Sequence, residues 1–166
     1  MNFFMNNKAL IIGALVLVAT FLASPTSAAG TTVEGKAWLT AKGAEADIVT
    51  MPSGLMYKIL TSSTKEDGKT PLVGTPCACH YAGTLIDGTE FDSSYKRGSP
   101  TTFAPNQVIK GWTEAMQLMK EGDTWELYLP SELAYGDRGA GRQIPGGAVL
   151  VFKLELIEVK GAHKEL

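Results

Sequence analysis

The chain has 166 residues, is 45% hydrophobic and 19% charged, and carries a formal net charge of −2. That length fits one domain with a short extension, and that composition excludes a wholly disordered chain. No long Lys/Arg run is present, so no nucleic-acid partner is expected.

The first 29 residues stand apart. Lys8 precedes the apolar run ALIIGALVLVATFLA, and SPTSAAG follows with small residues where a signal peptidase reads. A basic start, an apolar core and an A-x-A-like exit predict a secretory leader, cut after Ala28 or Ala29. The competing reading is an uncut membrane anchor, for which the run is short.

Residues 30–50 contain EGKAWLTAKGAEAD, Ala-rich and charged with few apolar anchors, which predicts a short, marginal helix leading into the domain. Met51-Pro52-Ser53-Gly54 punctuates the chain. LMYKIL (55–60) predicts a strand with Leu55, Tyr57 and Ile59 on one face, and STKEDGKTP (63–71) a polar turn region. CACHYAGTL (77–85) predicts a strand placing Cys77, Cys79 and Tyr81 on one side. Ile86-Asp87-Gly88-Thr89 is a hairpin turn whose Asp-Gly supplies positive φ angles, and EFDSSY is the returning strand.

TEAMQLMK (113–120) predicts a helix with Ala115, Met116 and Met119 on one stripe, ended by Glu121-Gly122-Asp123. TWELYLP (124–130) alternates, with Trp125, Leu127 and Leu129 on one side. YGDRGAGRQIPGG (135–147) is a long Gly-rich loop. AVLVFKLELIEV (148–159) is the last strand, Leu150, Phe152, Leu154 and Leu156 facing one way and Lys153 and Glu155 the other. A sheet with one apolar face must bury it, and the helix at 113–120 is the element available. The fold class is therefore α+β, an antiparallel sheet curled over one short helix.

Cys77 and Cys79 lie two apart on a strand, poorly placed to bridge each other, and are expected as small buried hydrophobes. A zinc site from Cys77, Cys79 and His80 fails because Cys79 and His80 point to opposite faces, so no metal and no cofactor are expected. His80 is expected on the sheet face with a local hydrogen bond. No Gly-x-Ser-x-Gly elbow is present, and the Gly-rich loop lacks the Gly-Lys-Ser/Thr ending of a phosphate loop. Tyr81, Phe91, Phe103, Trp112, Tyr135 and Phe152 fall near strand ends, loops or the helix start; they fit either core or a pocket, and polar neighbours such as Asp92 favour the pocket.

The segments YAGTLIDGTEFDSSYKRGSPTTF, VIKGWTEAM, MKEGDTWELYLPSELAYG and IPGGAVLVFKLELIEV occur in that order. Together they resemble the FK506-binding protein (FKBP) family of peptidyl-prolyl cis–trans isomerases, over about residues 52–160. The lead-in EGKAWLTAKGAEADIVTMPSGLMYKIL resembles the secreted branch called macrophage infectivity potentiators. The resemblance implies five or six antiparallel strands around one helix, with an apolar pocket between them. It implies walls from Tyr81, Phe91, Asp92 and Phe103, a rim from Val108 and Ile109, and a floor from Trp112. Ile144 and Phe152 would complete the lining. Tyr81, Asp92 and Tyr135 would act on the substrate, Tyr135 through its hydroxyl; Asp92 would act on the twisted carbonyl or hold Tyr81. The loop DRGAGRQ (137–143) departs from the family pattern, lacking a His and running about one residue long.

The implied function is rotation of Xaa-Pro bonds in proline-containing client polypeptides, with FK506- or rapamycin-type macrolides as ligands and a monomeric state. A proline-segment binding module or chaperone using the same pocket is the alternative. The expected division is a leader at 1–29, a lead-in at 30–50, the isomerase-like domain at 51–160 and a tail at 161–166. The tail ends in His-Lys-Glu-Leu, close to an ER-retention tetrapeptide. The ER lumen, the periplasm and secretion all remain open.

Overall fold

The computed structural model describes residues 30–164. The expected leader (1–29) and the last two residues of the tail lie outside the described residues. In chain order the elements are α1 (Val33–Gly43), β1 (Val49–Thr50), β2 (Met56–Thr61), β3 (Thr70–Pro71), β4 (Cys77–Leu85) and β5 (Glu90–Ser93). Then come α2 (Ser94–Arg97), β6 (Thr101–Phe103), α3 (Lys110–Met116), β7 (Thr124–Leu129), β8 (Leu150–Val159) and β9 (His163–Lys164). Single 3-10 turns lie at Pro105–Gln107, Ser131–Leu133 and Gly136–Arg138.

The main sheet is antiparallel, ordered β1-β2-β7-β8-β4-β5, with β6 also pairing β4. β4 receives β6 along Cys77–Cys79 and β5 along Ala82–Thr84, so the two short strands share its outer edge. Register shifts at Ile59/Thr61, Ala78/Cys79 and Gly83/Thr84 break the ladder. Such bulges bend and twist strands, which suits a sheet wrapping a helix.

The concave face packs on α3. Gly111, Trp112, Ala115 and Met116 are its buried stripe, meeting Leu127, Leu129, Leu150, Phe152, Leu154 and Leu156 from the sheet. Cys77 and Cys79 lie in this core, fully buried and unbridged. Burial drives the Cys77 thiol up to about 11, and the Glu121 carboxylate adds to the rise. Burial, with Cys77 and Glu155 adding to it, pushes Cys79 up as well. Both sulfurs therefore stay protonated and behave as small apolar groups.

Several details differ from the sequence-based expectations. The helix starts at Lys110 and ends at Met116, three residues earlier than expected at its start and four at its end. Gly111 concealed the start, because glycine lowers helix propensity. Its φ is not positive; glycine is needed because a Cβ there would overlap the Leu129 side chain. Gly122 is left-handed at φ +99° but serves the turn into β7, where its N–H donates to the Leu156 carbonyl at 2.7 Å.

The lead-in helix is a full 11 residues, and α3 is not the only cover for the sheet. α1 lies on the opposite face, where Leu39 joins Tyr128 and Val149 in a second buried cluster, flanked by Trp38 and Met56. Two adjacent large side chains suffice to anchor it. Trp38 leans on Tyr128 at 5.9 Å, and Lys42 Nζ lies 5.3 Å from both ring centres. The Thr32 hydroxyl caps its first turn, accepting from the Gly35 N–H at 3.0 Å.

The 86–89 hairpin forms, but only Gly88 has positive φ, at +85°. The Gly88 N–H bonds the Leu85 carbonyl, and the Leu85 N–H bonds the Thr89 carbonyl. The returning strand stops at Ser93, whose hydroxyl caps the single turn α2, and left-handed Gly98 closes that turn. Ile59 does not share the burial of Leu55; it is 45% exposed. Within the tail, His163 and Lys164 pair with Pro71 and Thr70.

Candidate functional site

β4 and β5 supply one wall of a cleft of about 670 Å³. β6 supplies a second wall, α3 the floor, and the 135–144 segment the last side. Its lining contains Tyr81, Phe91, Asp92, Phe103, Val108, Ile109, Trp112, Tyr135, Ile144 and Phe152, every residue expected there. Thr101, Gln107 and Ala140–Gln143 complete it. The volume suits a short peptide segment or a drug-sized ligand.

Trp112 sits at the bottom, 4% exposed. Phe152 and Tyr81 meet it edge-to-face, with centroids at 5.1 and 5.2 Å and planes at 82° and 80°. Phe103 tilts against it at 5.3 Å, and Phe91 meets Phe152 edge-on at 5.6 Å. These are the arrangements that aromatic quadrupoles favour, and they lock the rings against one another. Gly83 makes room for them: a Cβ there would lie 2.6 Å from both Phe91 and Phe152. The Trp112 Nε1–H is buried and unpaired among the described residues, so the residue serves here through its ring.

Polar groups stand at one side. The Tyr81 hydroxyl donates to Asp92 Oδ2 at 2.6 Å. Arg97, on α2, pairs with Asp92 Oδ1 and donates to the Tyr81 oxygen at 2.8 Å. Its guanidinium also lies 5.4 Å from the Tyr81 ring centre. Burial disfavours the ionised Asp92, yet the Tyr81 hydroxyl and Arg97 outweigh it and hold the carboxyl below its ordinary range. Burial, then the bond to Asp92, pushes the Tyr81 hydroxyl up, so it remains a donor.

Arg97 is the residue that sequence reasoning missed. The signal was present in SSYKRG, where a Ser cap and a following Gly bracket one helical turn. That turn carries Arg97 back to Asp92, five positions earlier.

Several donors on cleft-lining residues have no protein partner among the described residues, and two of them lie beside the aromatic cage. One is the Ile109 N–H, at the residue preceding α3; the other is the Tyr135 hydroxyl, on a side chain 41% exposed. The Gly-rich loop does not close the site. Ala140 and Ile144 bond each other in both directions, at 2.9 and 3.2 Å, forming a small hairpin whose tip, Gly141–Gln143, borders the cleft. Gly139 is required at its base, since φ is +64° and a Cβ would strike the Ile144 carbonyl. His80 lies off the cleft, stacked on Tyr95 at 4.6 Å, with Nδ1 2.8 Å from Ser94 Oγ.

A family model for FKBP-type peptidyl-prolyl cis-trans isomerase matches residues 68–157. The chain belongs to the FKBP-type peptidyl-prolyl cis-trans isomerase family. It is 48% identical over 130 residues to a macrophage infectivity potentiator of Trypanosoma cruzi, covering 78% of this chain and 65% of that protein. It is 49% identical over 129 residues to the outer membrane protein MIP of Legionella longbeachae, covering 78% and 54%. The solved peptidyl-prolyl cis-trans isomerase of Pseudomonas syringae pv. tomato superposes with a TM-score of 0.71 at 34% identity, covering 77% of this chain and 92% of that one. The chain thus spans roughly half to two thirds of the curated relatives it matches. Among family members it resembles the macrophage infectivity potentiators.

Proposed function

We propose that this chain accelerates cis–trans rotation of Xaa-Pro bonds in exported or lumenal polypeptides. The observation that carries this is the aromatic cage over Trp112 beside two unpaired donors, Ile109 N–H and Tyr135 hydroxyl. The barrier to rotation about a peptide bond, roughly 18–20 kcal/mol, comes from amide resonance. The twisted transition state has lost that resonance, so its carbonyl is less polar and depends less on water.

A proline ring over Trp112 would be enclosed by Tyr81, Phe91, Phe103 and Phe152. A cage that excludes water disfavours the polar planar amide more than the twisted one. Each 1.36 kcal/mol of such difference gives about tenfold in rate. No covalent step is needed. Ile109 N–H and the Tyr135 hydroxyl would hold substrate carbonyls on either side of the rotating bond, and Val108 and Ile144 would flank the chain. Both oxygens of Asp92 are engaged by Tyr81 and Arg97, which supports a positioning role: Asp92 fixes the Tyr81 ring as a cage wall.

The same cage suits FK506- or rapamycin-type macrolides. The leader-like residues 1–29 support export. The isomerase domain would run over 51–160, between the lead-in at 30–50 and the tail at 161–166. Isomerisation of a short Leu-Pro peptide tests the roles. Asp92→Ala should lower kcat/KM, and Tyr135→Phe should raise KM; neither changing would contradict both polar assignments.

A further inference from the structure

We propose that the Ala29–Gly30 bond is the processing point of this chain, and that the ammonium group released on Gly30 is held by Asp137 beside Glu132, bracing the pocket wall. The inference rests on the reading of residues 1–29 as a leader.

Gly30 is built into a socket. Its N–H donates to Asp137 Oδ1. Its φ is +95°, a conformation that favours glycine, and a Cβ would lie 2.5 Å from Glu132 Oε1. The next residue, Thr31, is 2% exposed. The Thr31 N–H and hydroxyl donate to Glu132 Oε1 and Oε2 at 2.9 and 2.6 Å, and the Thr31 hydroxyl accepts from the Ser131 N–H at 2.8 Å. The Thr32 N–H then bonds the Gly147 carbonyl at 3.0 Å. Every one of these contacts reaches the stretch 131–147, which carries Tyr135 and the 140–144 hairpin. Asp137 and Glu132 flank Tyr135 on either side in sequence.

Hydrolysis by a signal endopeptidase adds one water across the bond. Ala29 leaves with a carboxylate, and Gly30 keeps an amine that takes a proton at neutral pH. One neutral amide donor becomes a cationic group with three, facing two carboxylates, so a direct charge–charge attraction is added to the bond already made to Asp137. A cut after Ala28 puts the charge one residue farther from Asp137. A cut after Gly30 removes the group altogether. Lys36 and Glu34 on α1 are the other charges near this end; Lys36 acts on Glu132.

The full chain is exported from a secreting host and its mature mass measured; a first residue of Gly30 is expected, and any other overturns the proposal. On that protein the amino group of ¹⁵N-labelled Gly30 is titrated. It should titrate about half a unit or more above the ordinary 7.7–8.0, and return to that range in Asp137→Asn or Asp137→Ala. Because that value is raised, its stabilisation is complete below about pH 7.7 and is lost as pH rises through the raised value. Identical titration in wild type and both variants overturns the clamp. KM for a Leu-Pro peptide should rise at least twofold in Asp137→Asn with kcat little changed; an unchanged KM overturns the bracing of the pocket. Absence of turnover in every form would defeat the isomerase reading, while mass and titration would still decide this one.

Discussion

Asp92 and Arg97 face each other across one turn of helix, and the Tyr81 hydroxyl closes the triangle by bonding both. The three groups turn a loose edge strand into a fixed wall of the cleft. Arg97→Gln should therefore lower kcat/KM for a Leu-Pro peptide by roughly two- to fivefold, the range of an exposed charge pair. Arg97→Gln combined with Tyr81→Phe should cost less than the two single losses added together, since the groups act as a unit. Simple additivity would separate them.

The same triangle sets a pH dependence. Asp92 is held below its ordinary value, so its stabilisation is present above about pH 3.9 and is lost as pH falls through the lowered value. Denaturant unfolding of wild type and Asp92→Asn should differ at pH 6 and converge as pH falls through the lowered value. A gap constant with pH would show that the carboxylate's charge is immaterial. The group is part-exposed, so the change should be modest.

Much of this site was legible in the sequence. Trp112, Phe91, Phe103 and Phe152 sit in motifs whose resemblance to the FKBP family implied a lining beside one helix, and all four border the cleft. What was hidden depended on contacts distant in sequence. Arg97 lies just past the expected strand EFDSSY and carried no assignment, because only the folded turn reveals its return to Asp92. α1 looked marginal because its anchors are two adjacent residues without a helical stripe, and Tyr128, its partner, lies about 90 positions later. Gly111 lay outside the helix expected at 113–120, and only the Leu129 side chain shows it to be a packing requirement.

That packing gives a stability prediction. Gly111→Ala places a methyl group into Leu129 and should cost about 1–3 kcal/mol in chemical denaturation, as overpacked cores do. Leu129→Ala makes room, so the double variant should lose less than the sum. If Gly111→Ala is as stable as wild type, α3 is not held this close to β7.

Arg142 predicts a substrate preference. It lines the cleft, is exposed, and makes no ion pair among the described residues, whereas Asp92, the cleft's other full charge, is already paired. Peptides with Glu before proline should be turned over roughly two- to fivefold faster than those with Lys, the range of an exposed charge pair. The preference should fade in about 1 M salt and vanish in Arg142→Gln. A ratio unaffected by salt or by the variant would assign the preference elsewhere.

The most direct test of the central claim is the rate of cis–trans exchange of a Leu-Pro peptide with the protein, in the presence and absence of excess FK506. Fast exchange abolished by the macrolide is the predicted result, because one cage serves both ligands. Macrolide binding without any acceleration would contradict the enzyme and leave a proline-binding module on the same fold.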